Sequence, residues 1–66
     1  MSLLVNGHAH QFPAPLTIAE LLESLGLTGK RVAVDRNGEI VPKSQHADVR
    51  VADGDQLEIV VAVGGG

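Results

Sequence analysis

The sequence predicts an α+β domain in which one helix lies across one face of a mixed sheet of four to five strands. Three observations carry this. Two Asn-Gly pairs, Asn6-Gly7 and Asn37-Gly38, sit between short alternating segments. One capped amphipathic helix separates them, and a long apolar strand, Gln56 to Val63, follows. The 66 residues are expected to form a single domain, globular over 1–63 with a flexible tail at 64–66. A chain of this length buries only about 60% of its unfolded surface, so the core should be thin and without a deep cleft. There is no cysteine, which removes disulfides and thiolate metal sites and suits a reducing compartment.

The opening "SLLVNGHAHQF" reads as a hairpin, because both positions of a two-residue turn need positive φ and Asn-Gly tolerates it. Leu3 and Val5 share one face of the first strand. His8, His10 and Phe12 share a face of the second. Phe12, the one aromatic residue, is expected to enter the core. Pro13 and Pro15 then break the strand.

"LTIAELLESLG" is the clearest local signal. Thr17 stands three residues before Glu20, the spacing of a capping box, and Leu16 and Leu21 occupy the staple positions around it. Ile18, Leu21, Leu22 and Leu25 make one apolar stripe. Gly26 supplies the left-handed residue that ends the helix.

"RVAVDRNGEIV" supplies a third strand, the second Asn-Gly turn and a short fourth strand. Pro42 to Asp48 is an irregular crossing. Val49 and Val51 lead to a turn at Asp53-Gly54-Asp55, after which the last strand begins. On that strand Leu57, Ile59, Val61 and Val63 share one face, and Glu58, Val60 and Ala62 the other. The first and last strands are the most apolar and should lie side by side in the middle. Two strands, a crossing helix and returning strands define a β-grasp arrangement. A ferredoxin-like domain needs a second helix, and nothing after Gly38 has a sustained helical period.

Hydrophobic residues make up 44% of the chain and charged residues 20%, a globular composition. Eight acidic against five basic residues give a net charge of −3, which argues against nucleic acid and suits a basic partner surface. The longest apolar run, Ile59 to Val63, is too short to cross a bilayer, and no cationic segment leads into a long apolar stretch. The expected location is the cytoplasm.

Several residues invite chemistry and have a plainer explanation. His8 and His10 project from one strand face, but no carboxylate or cysteine stands nearby at ligand spacing, so solvated histidines are expected and no metal. Asp53-Gly54-Asp55 lacks the further oxygen ligands of a calcium loop and reads as a tight turn. Lys30, Arg31, Asp35 and Arg36 follow no phosphate-binding glycine pattern and read as a charged rim on the third strand. Ser2, Ser24 and Ser44 have no histidine–acid partners. The sequence predicts no catalytic residues.

The three closing glycines admit two accounts: a frayed terminus or cloning scar, or a reactive carboxylate on a slim stalk. Without a Cβ, glycine can enter a channel that any side chain would block. Ordering such a tail costs about 1–2 kcal/mol per residue, so a partner must also bind a neighbouring surface. The last strand offers Val60 and Ala62 on its open face, with Val61 and Val63 at its exit. Burying an exposed valine recovers about 1.5–3 kcal/mol.

"VNG", "TIAELLESLG", "VAVDRNGEIVP" and "DGDQLEIVVAVGGG" together resemble the ubiquitin-like β-grasp sulfur carriers, and among them the ThiS family of thiamine biosynthesis, over essentially the whole chain. The resemblance implies that Gly66 is adenylated and then converted to a thiocarboxylate that donates sulfur to a thiazole ring. It implies that Gly64 and Gly65 thread into the partner's active site, and that Val60, Ala62, Val61 and Val63 dock. The implied partners are an ATP-using, ubiquitin-activating-like adenylyltransferase of the ThiF type, a thiazole synthase of the ThiG type, and a cysteine desulfurase or other sulfur donor. The implied role is a carrier with no intrinsic cofactor and no turnover of its own. Two alternatives share the tail: the small subunit of molybdopterin synthase, and a protein modifier conjugated through Gly66. The former tends to carry aromatic and proline residues before its glycines, and "EIVVAVGGG" has neither. A third alternative is an interaction module with an inert tail.

Overall fold

The computed structural model describes residues 1–62. In chain order the elements are β1 (Ser2–Val5), β2 (His8–Gln11), α1 (Ile18–Ser24), β3 (Val32–Arg36), β4 (Glu39–Val41), a 3-10 turn at Lys43–Gln45, and β5 (Gln56–Val61). The five strands form one sheet in the order β2-β1-β5-β3-β4. β1 and β5 run parallel in the interior, and the other neighbours are antiparallel. The expected β-grasp topology is the one formed, with the two most apolar strands adjacent.

α1 covers one face. Ile18, Leu21 and Leu22 pack with Leu3, Val5, Val34, Val41, Leu57 and Ile59 in a single core, sealed by Leu16 and Val51. Phe12 does not enter that core fully; it is half-buried at its margin, 6.0 Å from the His10 ring, because β2 is an edge strand that α1 does not cover.

The helix ends are closed by local chemistry. Thr17 Oγ1 accepts from the Glu20 amide at 3.1 Å, while Glu20 Oε1 accepts from the Thr17 amide at 2.9 Å. The remaining first-turn donors go to the crossing segment: Ile18 N–H to the Val49 carbonyl and Ala19 N–H to the His46 carbonyl. Every orphan donor of the first turn therefore has an acceptor. The stretch that lacks any sequence period has this definite task. At the other end Gly26 (φ 73°) lets its own amide and that of Leu27 reach the Glu23 and Leu22 carbonyls.

Candidate functional site: the β5 platform and its exit

Everything proposed for the tail depends on how β5 is held. Asn6 and Asn37 both lie at positive φ, 50° and 52°, as the hairpin turns require. Each also clasps β5 with its side chain. The Asn6 amide donates to the Ile59 carbonyl at 3.1 Å and accepts from the Ile59 N–H at 2.7 Å. It thereby extends the β1–β5 ladder one residue pair beyond the end of β1. Asn37 Oδ1 accepts from the Gln56 N–H at 2.9 Å, and its Nδ2 donates to Asp55 at 3.0 Å.

Asp55 anchors the start of the strand. Its carboxylate accepts from the Ala52 N–H at 2.8 Å, Arg36 Nε at 2.7 Å and Asn37 Nδ2. Burial pushes the Asp55 pKa up, but the Ala52 amide, the Arg36 and Asn37 hydrogen bonds and the Arg36 charge outweigh it, so the net value is lowered. Arg36 is thus not part of a solvated rim; it reaches across the sheet into an ion pair. Asp35 caps the second turn by accepting from the Gly38 N–H at 2.8 Å. Asp53 accepts from the Ser2 N–H, so both carboxylates of the "DGD" turn are engaged by donors of the protein itself. Only the tight-turn geometry was legible in that motif; Asp55 and the two clasping asparagines are the residues that sequence reasoning missed as a group. The common signal was an Asn or Asp at every tight turn facing the last strand.

β5 runs to Val61, and Ala62 beyond it donates its N–H to the Arg31 carbonyl at 2.8 Å. The register pairs Val60 with Ala33 and Val61 with Val32. Val60 is 62% exposed on the face opposite the helix, where Leu4 (38%) and Ile40 (67%) also lie open. Val61, on the helix side, is 37% exposed because α1 no longer covers it. The expected docking residues Val60, Val61 and Ala62 are thus accessible and neighbouring. Val63, Gly64, Gly65 and Gly66 lie outside the described residues.

Among the described residues the other candidates stay apart. His8 and His10 are exposed on edge strand β2, and no group of three metal-ligating side chains forms. No helix is long and apolar enough to cross a membrane.

The site is thus a β-grasp sheet whose interior strand β5 is pinned by turn side chains and exposes Val60, Val61 and Ala62 at its end. The family model for the ThiS family matches residues 3–66, and the chain belongs to that family. It is 39% identical to the sulfur carrier protein ThiS of Escherichia coli over 66 residues, covering 100% of both. With the Bacillus subtilis ThiS it shares 48% over 50 residues, 76% of each chain. A crystal structure of the thiamine biosynthesis protein ThiS from Geobacter metallireducens superposes with a TM-score of 0.83 at 33% identity, covering 100% of each chain. A thiazole synthase of Paramagnetospirillum magneticum is 53% identical over all 66 residues, and the chain spans 20% of that protein's length. Sequence and fold thus agree on the ThiS family.

Proposed function

We propose that this protein carries sulfur as a thiocarboxylate on Gly66 and delivers it to a forming thiazole ring. The observation that carries the proposal is the full-length similarity to the E. coli sulfur carrier ThiS, joined to an accessible β5 exit anchored at Ala62. A carboxylate is a poor electrophile, because its charge is delocalised and its leaving group is oxide. In the proposed sequence a Gly66 carboxylate oxygen attacks the α-phosphorus of ATP and pyrophosphate departs, leaving a mixed anhydride. A persulfide then displaces AMP to form an acyl disulfide, and a second thiol cleaves its S–S bond to release the thiocarboxylate. The carrier supplies no catalytic group. ATP and the sulfur donor belong to the adenylyltransferase and the desulfurase, and this dependence on ATP supports a cytoplasmic setting.

Gly64 and Gly65 thread into the activating enzyme while Val60, Val61, Ala62 and Val63 dock. Four residues follow Ala62, and an extended stretch of that length spans roughly 14 Å. That reach is sufficient for a narrow channel once the scaffold is seated on the partner. Deleting Gly66 is expected to abolish ATP-dependent pyrophosphate release by the activating enzyme. Release that persists after the deletion removes Gly66 from the reaction. A protein modifier would instead yield reductant-resistant conjugates on a denaturing gel.

A further inference from the structure

On the helix side, beside the end of β5, lies an open groove of about 320 Å³ between α1, the loop that follows it, the start of β3 and the 3-10 turn. Its floor is aliphatic: Ala19, Leu22, Leu27 and Val32. Its rim is Lys30, Arg31 and Lys43. Three of the chain's five Lys and Arg residues therefore surround one groove, in a protein of net charge −3. All three are exposed, and the one ion pair among the described residues is Arg36–Asp55, elsewhere.

His46 fixes the groove's wall. It is 7% exposed, its carbonyl accepts from the Ala19 amide and its Nε2 donates to the Val41 carbonyl at 3.0 Å. The wall is thus held from two sides and does not collapse onto the floor.

We infer that this groove is a second docking surface, taking a segment of the thiazole synthase that places an aliphatic side chain between carboxylates. This rests on the sulfur-carrier function proposed above. The floor has methyl groups and no aromatic ring, so it offers an aliphatic side chain a fit and a nucleobase no stacking platform. Three cations with no carboxylate partner among the described residues complement Asp and Glu. The position fits delivery: Val32 on the floor pairs with Val61, and the Arg31 carbonyl holds the Ala62 amide. A partner in the groove grips the scaffold beside Val61 and Ala62, from the side opposite Val60. That the stretch similar to this chain occurs within a protein named thiazole synthase supports the synthase as the occupant.

The test is the double charge reversal Lys30→Glu with Lys43→Glu in the full chain. Both side chains are exposed, so thermal unfolding should be unchanged. Purified thiazole synthase should bind the variant about tenfold more weakly than the wild type, with a smaller loss on adding salt. Adenylation by the activating enzyme should proceed at the wild-type rate. Binding within twofold of the wild type overturns the inference, as does a wild-type chain that does not bind the synthase. An equal loss of adenylation also overturns it, since the cations would then serve the activating enzyme. Failure of the wild type to be adenylated at all would instead sink the sulfur-carrier proposal.

Discussion

The side chain of Asn6 is where a single substitution tests the link between turn chemistry and the platform for the tail. Asn6→Gly keeps the positive φ that the turn needs and deletes only the clasp. Two hydrogen bonds to Ile59 are lost, at 3.1 and 2.7 Å. Each contributes about 0.5–1.5 kcal/mol net, so the loss sums to about 1–3 kcal/mol. The extra freedom of glycine in the unfolded chain adds about 0.4–1 kcal/mol in the same direction. A domain this small has roughly 3–10 kcal/mol of stability in total, so the change removes a substantial share of it. Asn6→Ala loses the same bonds, keeps a Cβ at left-handed φ and lacks the local polar contacts by which asparagine offsets that strain of about 1–2 kcal/mol. Urea unfolding followed by circular dichroism should rank wild type above Asn6→Gly and Asn6→Ala last. Amide exchange in Asn6→Gly should accelerate at Ile59 more than at Val34. If Asn6→Gly unfolds within 0.5 kcal/mol of the wild type, the clasp is ornamental and the account of β5 is wrong.

Other outcomes follow from the same contacts. Val60→Asp should leave stability within about 0.5 kcal/mol, since the side chain is 62% exposed. It should lower kcat/KM for adenylation by at least tenfold, the equivalent of losing about 1.5–3 kcal/mol of valine burial at the interface; normal adenylation moves the docking face elsewhere. Thr17→Ala removes one half of the capping box and should cost about 1 kcal/mol, a fall in Tm of about 4–8 °C by calorimetry. The Asp55 carboxyl has a folded pKa below its ordinary 3.8, so its contribution to stability is present above that pH and is lost as pH falls through the folded value. Asp55→Asn should therefore lessen the drop in stability between neutral pH and pH values below 3.8, measured by urea midpoints.

The features legible in the sequence are those governed by neighbours in the chain. The Thr17–Glu20 box, the Leu16–Leu21 staple, the Gly26 stop and both Asn-Gly turns depend on spacing of a few residues, and each forms as its spacing requires. The central pairing of β1 with β5 followed from apolarity alone. Long-range polar contacts were not legible. Asn6 reaches Ile59 across 53 positions, and Arg36 reaches Asp55 across 19. Neither separation has a period to betray it. The crossing segment, Pro42 to Asp48, looked shapeless because its order comes from long-range contacts such as the acceptor that His46 gives to α1. β5 runs to Val61, where the helix-side valine is exposed although it continues the apolar alternation, because that alternation does not register how far α1 reaches. Of the candidate site, the accessibility of Val60 was readable from strand parity, whereas the cationic groove required the fold to bring Lys30 and Lys43 together.

The central claim concerns the fate of Gly66. After incubation with the activating enzyme, ATP and a sulfur source, intact-protein mass spectrometry should show one oxygen replaced by sulfur. Fragmentation should place that sulfur on the carboxyl group of Gly66. An unchanged mass, or sulfur found on any other residue, contradicts the account.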